Sequence, residues 1–252
     1  MAKGINILSG AKKISVTTAL ILLCFAAFIY EAYLSSYGTY TLTNFINNYG
    51  LSYKNFVGGK YWTILTNMFL HGNAEHFVLN MLALFFFGHI VEDAVGRKKL
   101  LLIFLASGIF ANICTLAAGA MGLMAADIPT IGASGAIFGL LGAAMILKPF
   151  EFISFPYVIP VPVVIIALLY AFYNTLSFIL TLTGVQSQIA YVAHIGGIFA
   201  GIYFGFKEGG TARALKSLII ILIILFAIPF LWNFIVMFEQ VNWTKIITGF
   251  LR

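Results

Sequence analysis

Charge is scarce in this chain. Asp, Glu, Lys and Arg make up 9% of its 252 residues, against roughly 25% in an ordinary soluble domain, and the mean hydropathy is +1.02. A chain so poor in charge cannot solvate the surface of a soluble fold. Cysteine is almost absent too: Cys24 and Cys114 each sit inside an apolar run with no Cys-x-x-Cys spacing, which excludes a disulfide framework and a zinc knuckle. The carboxylates, Glu31, Glu75, Glu92, Asp93, Asp127, Glu151, Glu208 and Glu239, all read as boundary or loop residues. An acidic path of the kind an ion-coupled transporter uses is therefore missing. Glu75-His76-Phe77-Val78-Leu79 does not complete a His-Glu-x-x-His pattern, so a metal-dependent membrane protease is disfavoured as well.

What the chain has in abundance is long apolar runs. With about 20 residues needed per bilayer-spanning helix, the predicted spans are Ile14 to Tyr30, Phe77 to Val91, Leu100 to Met121, Ser134 to Leu147, Val161 to Leu182, Ile189 to Phe206 and Leu218 to Phe238. The expected fold class is all-α, a polytopic membrane helix bundle. Lys3, Lys12 and Lys13 ahead of the first span, with no prompt Ala-x-Ala-like site after it, read as a retained signal anchor. The net charge of +6 does not point to nucleic acid, because the cations fall in short clusters between spans rather than on one face. With the amino terminus in the cytoplasm, ten cations (Lys3, Lys12, Lys13, Arg97, Lys98, Lys99, Lys148, Lys207, Arg213, Lys216) lie inside and four (Lys54, Lys60, Lys245, Arg252) outside. That is the positive-inside order. The first external connection, roughly Leu34 to Glu75, is long enough to carry structure of its own, and Tyr53, Phe56, Tyr61 and Trp62 suit it to the lipid headgroup region.

Polar side chains inside a membrane are costly and mark function by default. The candidates are Asn80 in the second span, Ser134 opening the fourth, Asn174 in the fifth and His194 in the sixth, with His76 at the outer end of the second. Ser134 precedes Lys148 by about 14 residues and His194 precedes Lys207 by about 13, so both lie roughly 20 Å above the inner boundary at about 1.5 Å per residue. Asn80, about 17 residues before Arg97, lies roughly 25 Å up. Small residues surround the two deep groups: Gly132, Gly135, Gly139 and Gly142 near Ser134, and Gly196, Gly197, Gly201 and Gly205 after His194. Stripes of this kind let helix backbones approach closely. Packed along them, the serine and the imidazole come within hydrogen-bonding reach as nucleophile and general base. His76 and Asn80, four apart on one helix face, could then donate to an oxyanion, as could the Ser134 backbone N–H at a helix start. No acid stands ready to orient His194, so a Ser-His dyad with the imidazole held by packing is expected.

These segments resemble the rhomboid family of intramembrane serine proteases. Gly132-x-Ser134-Gly135 with Gly139 looks like that family's nucleophile motif, Ala193-His194-x-x-Gly197-x-x-x-Gly201 like its general-base helix, and His71-x-x-x-x-His76-x-x-x-Asn80 like its histidine and asparagine pattern. The match runs from about Trp62 to Gly205 in the family's order. The resemblance implies a six-helix core over residues 14–206, preceded by a cytoplasmic segment, 1–13. After it come a cytoplasmic connector, one additional carboxyl-terminal helix and a short external tail, 207–252. It assigns Ser134 and His194 to the dyad and His76 and Asn80 to the oxyanion hole, and makes His71 structural. It also implies single-pass membrane proteins as substrates and membrane lipid as surroundings, with the site open to the outer face, entry beside the fifth span and no metal or organic cofactor. The chain departs from the family where Trp62-Thr63 replaces a frequent Trp-Arg, and where Phe138 replaces a frequent tyrosine, keeping a ring to stack on the imidazole but no hydroxyl. A catalytically inactive client-binding relative and a transporter are the alternatives.

Overall fold

A computed structural model describes residues 14–154, 160–182 and 191–223. The first helix, α1 (Val16–Ser36), opens on Ser15, whose side chain accepts the Thr18 N–H. The long connection after it folds into α2 (Thr39–Tyr49), α3 (Tyr53–Val57), α4 (Thr63–Thr66) and a tight turn, Asn67–Phe69. Then come α5 (Ala74–Val95), α6 (Arg97–Ala120), α7 (Ser134–Leu147), α8 (Val163–Leu182) and α9 (Tyr191–Gly209). Between α7 and α8 lies a small antiparallel hairpin of β1 (Phe152–Ser154) and β2 (Pro160–Pro162), with Ile153 opposite Val161. A further helical run covers 211–223.

Three of these helices, α1, α5 and α6, are long and apolar enough to cross a membrane. The run Phe77 to Val91 is short for a span because polar residues flank it, yet the helix continues through them. Asn73 caps its start by accepting the His76 N–H at 2.8 Å, and Gly96, at φ 83°, ends it. Of the seventh expected span, Leu218 to Phe238, only the beginning falls within the described residues. The rest lies outside them, as do residues 1–13 and the first two residues of Ile189 to Phe206.

At the centre stands α7. Its 14 residues reach about 21 Å, and every residue from Gly135 to Leu147 is buried, as expected of a helix that is apolar all round. It is enclosed by α9, α6, α5 and α8. The contact with α9 is made backbone to backbone: a Cβ added at Gly201 or Gly197 would collide with the carbonyl oxygens of Gly139 and Gly135 respectively, and one at Gly142 would lie 2.6 Å from the Ile198 carbonyl oxygen. The glycine stripes thus face each other as the sequence suggests. Ser217, in the run that follows α9, donates its hydroxyl to the Ile146 carbonyl of α7.

Two carboxylates that read as boundary residues are in fact buried. Glu92 of α5 accepts the Val16 and Thr17 N–H groups and the Thr17 hydroxyl, at 2.7–3.0 Å, satisfying donors that a helix start leaves without partners. Glu31 of α1 accepts the backbone N–H of His71 on both oxygens, at 3.0 and 3.1 Å. The long connection is pinned as well. Leu51 and Thr130 exchange both backbone hydrogen bonds, and the amides of Asn67 and Asn112 bond reciprocally at 3.1 and 2.8 Å. At the Trp62-Thr63 departure, the Trp62 indole N–H donates to the Asn48 carbonyl and the Thr63 hydroxyl to the Lys60 carbonyl.

Gly201→Val is expected to force α9 off α7 and to destabilise the bundle by about 1–3 kcal/mol, the usual cost of overpacking. Thermal unfolding in detergent measures this, and an unchanged midpoint would contradict the backbone contact.

Candidate active site

Three elements converge on the start of α7. Gly132, at φ 128°, takes a backbone conformation that L side chains rarely adopt, and its N–H donates to the Asn67 carbonyl at 2.9 Å. The chain turns there and enters α7 at Ser134. Ala133, in the cap position, gives no side-chain hydrogen bond, so the first-turn N–H groups have no side-chain cap from it and point their partial positive charge toward the space in front of the helix. The His76 imidazole lies against the same turn: a Cβ at Gly132 would stand 2.8 Å from both Cε1 and Nε2 of that ring.

His194 comes from α9, brought to this level by the glycine contact. Its Nε2 is 2.8 Å from the Ser134 Oγ. Phe138, one turn along α7 from the serine, stacks on the imidazole at 4.2 Å between centroids and 13° between planes, so the ring that replaces the family's frequent tyrosine still supports the histidine. Tyr191 meets the imidazole edge-on. The other ring nitrogen, Nδ1, lies 2.5 Å from Oδ1 of Asn174 on α8, and the Asn174 Nδ2 donates to the Tyr170 carbonyl at 2.8 Å.

Asn80 is buried at 6% exposure and donates one amide N–H to the His76 carbonyl at 2.9 Å. That leaves its second N–H available. Ser134, His194, His76 and Asn80 all line one cavity of about 330 Å³, walled on the α8 side by Tyr170, Tyr173 and Asn174. All four residues given a catalytic part in the sequence analysis are therefore brought together, and Asn174, the fifth polar candidate, lies with them. His71 is buried beside His76, ring centroids 5.3 Å apart; burial first, and His76 second, push its imidazole down to about 4. It is thus neutral near pH 7, in keeping with a packing role. No group of three or more His, Cys, Asp or Glu able to hold a metal ion occurs among the described residues.

Sequence reasoning placed Asn174 among the intramembrane polar groups but gave it no part beside His194, whose ring it left to packing alone. The only signal available was an amide in a mid-span position; which way the α8 face turns is decided by tertiary packing.

The fold and site define a class: a polytopic α-helical membrane protein that pairs a serine with a histidine in an internal cavity. Within that class the family is also shown. The chain belongs to the rhomboid family, since the Rhomboid domain model matches residues 58–211, more than half of its length and every site residue named above. Rhomboid protease AarA of Providencia stuartii is 34% identical over 199 residues, covering 75% of this chain and 70% of that protein. Rhomboid protease GluP of Bacillus subtilis is 31% identical over 174 residues, 69% of this chain but 32% of that protein. RHOMBOID-like protein 12, mitochondrial, of Arabidopsis thaliana is 30% identical over 164 residues, 60% of this chain and 48% of the relative. With its apolar helices, the chain is an integral membrane protein.

Gly132→Ala is expected to strain the turn by about 1–3 kcal/mol and to displace the His76 ring. A lower unfolding midpoint together with a moved imidazole in an experimental structure would bear this out; an unchanged midpoint and an unmoved ring would contradict it.

Proposed function

We propose that this protein is an intramembrane serine endopeptidase in which Ser134 is the nucleophile and His194 the general base. The observation that carries the reading is the 2.8 Å approach of Nε2 to Oγ inside a cavity. His194 takes the Ser134 hydroxyl proton as Oγ attacks a peptide carbonyl, and the negative charge gathers on the carbonyl oxygen. The first-turn N–H of Ser134, an imidazole N–H of His76 and the remaining amide N–H of Asn80 supply donors for that oxygen. Preorganised donors of this kind commonly lower a barrier by about 3–4 kcal/mol. Collapse of the intermediate passes the proton from His194 to the leaving amine and leaves an acyl-enzyme. Water, deprotonated by the same imidazole, then releases the acyl group and restores the serine.

Single-pass membrane proteins are the proposed substrates, cut at small residues near their outer ends after local unwinding, with entry beside α8. A helix must unwind because its peptide carbonyls are otherwise occupied by intrahelical hydrogen bonds. The amino terminus is cytoplasmic on this reading and the cavity opens outward. Since α7 reaches only about 21 Å in a hydrocarbon layer about 30 Å thick, a start near the middle of the outer half leaves room above Ser134 for water. The catalytic core is taken as residues 14–206, with 207–252 as an appended connector, helix and tail.

A serine-reactive fluorophosphonate is expected to label the wild-type protein and not Ser134→Ala. In liposomes the wild type should cleave a model single-span substrate and His194→Ala should lose nearly all activity. Equal rates would remove His194 from the mechanism. Failure of the wild type to label or to cleave would favour a client-binding relative without catalysis.

A further inference from the structure

We propose that Asn174 of α8 is a positioning residue for His194, fixing which ring nitrogen carries the proton and making the base competent only while α8 is seated against the site. The inference rests on the proposed proteolytic reading for its consequence, but the hydrogen-bond logic stands on geometry alone. Asn174 is 2% exposed, and an amide so buried needs its polar atoms paired. Its Nδ2 faces the Tyr170 carbonyl at 2.8 Å. A carbonyl can only accept, so the NH₂ end of the amide must point there and the oxygen must be the end that faces Nδ1 of His194. An amide oxygen can only accept as well. The neutral imidazole is therefore protonated on Nδ1 and carries its lone pair on Nε2, the nitrogen 2.8 Å from Ser134 Oγ. That is the tautomer a general base needs.

An asparagine in this position serves only if its oxygen, not its NH₂, faces the ring. Where an amide replaces the aspartate of a triad with its NH₂ turned to the histidine, it selects the wrong tautomer and the rate falls steeply. Here the bond to Tyr170, one turn earlier on the same helix, holds the NH₂ away. The outcome is the orientation that an acid supplies, without burying a charge beside the neutral imidazole, which in a low-dielectric interior would be costly.

The source of the amide matters as much as its direction. Ser134 and His194 stand on helices locked together by glycine contacts, whereas the orienting oxygen arrives from a third helix that also carries Tyr170 and Tyr173 in the cavity wall. A hydrogen bond is lost once its heavy atoms separate beyond about 3.5 Å. A shift of α8 by little more than an ångström thus releases the imidazole, and its return restores the base.

The test uses the full chain in liposomes, with Asn174→Leu, which keeps the volume and removes the acceptor, and Asn174→Asp, which keeps an oxygen toward Nδ1. Asn174→Leu should slow fluorophosphonate labelling of Ser134 and lower kcat roughly 10- to 100-fold, by analogy with the loss of a partner that orients a metal-bound histidine, with KM changed less than about twofold. Asn174→Asp should recover most of the rate and move the acidic limb of the kcat profile to higher pH than in the wild type, because a carboxylate beside the imidazole favours its charged form; a purely structural role would not do this. Nitrogen-15 spectra of histidine-labelled protein should show the His194 ring of the wild type protonated at Nδ1. Labelling of Asn174→Leu at the wild-type rate, or a wild-type ring protonated at Nε2, would overturn the proposal. If the leucine variant does not fold, the wild-type spectrum and the aspartate variant still decide. Failure of the wild type to label strikes at the proteolytic reading instead, while the spectrum reports on the tautomer regardless.

Discussion

The backbones of α7 and α9 touch, with the carbonyls of Gly135 and Gly139 seated where the β-carbons of Gly197 and Gly201 would otherwise be. Dispersion between such surfaces replaces the hydrophobic effect, which gives little drive to helix association in lipid. From this contact the placement of the site follows. It sets the helices in register, so that a residue at the start of one meets a residue near the start of the other, and it leaves the Ser134 to His194 distance to rigid elements rather than to loops. Elsewhere in the bundle a side chain rather than a backbone fills the space beside a glycine, Met68 at Gly108 and Thr17 at Gly88.

Polar groups are few, and several of those inside join elements that are distant in sequence. Glu92 holds the start of α1, Glu31 holds the turn before α5, and the Asn67–Asn112 pair holds the long connection to α6. Each bond lies where water is scarce, so a lost partner leaves a buried group unsatisfied at a cost greater than the bond itself. The chain between α1 and α5 is therefore tied to the bundle at defined points, and Gly132 is steadied through Asn67. On the proposed reading, a residue far from the serine thereby sets the turn that aims it.

Much of this was legible in the residues. The span Ser134 to Leu147 agrees end for end with α7 because lipid-embedded composition and helix coincide there. The depth argument and the matched stripes brought Ser134 and His194 to one level, and the four-residue spacing put His76 and Asn80 on one face. Other features were hidden for physical reasons. Residues Glu75, Glu92 and Asp93 made the second span look short, because a hydropathy pattern counts charge as an end even where the charge is bonded inside the fold. The short helices and the hairpin at Ile153 and Val161 have no apolar periodicity long enough to register. Asn174 was visible as a polar group but not as a partner, since the rotation of α8 is set by packing that no local pattern encodes.

The carboxylate of Glu92 has a bearing on biogenesis. During synthesis α1 leaves the ribosome well before α5 exists, and the first-turn amides of Val16 and Thr17 must meanwhile be held by water or lipid headgroups. Only when α5 has followed into the bilayer can its acid displace those temporary partners. Among the described helices, α1 is thus fastened at its start only after α5 has joined it.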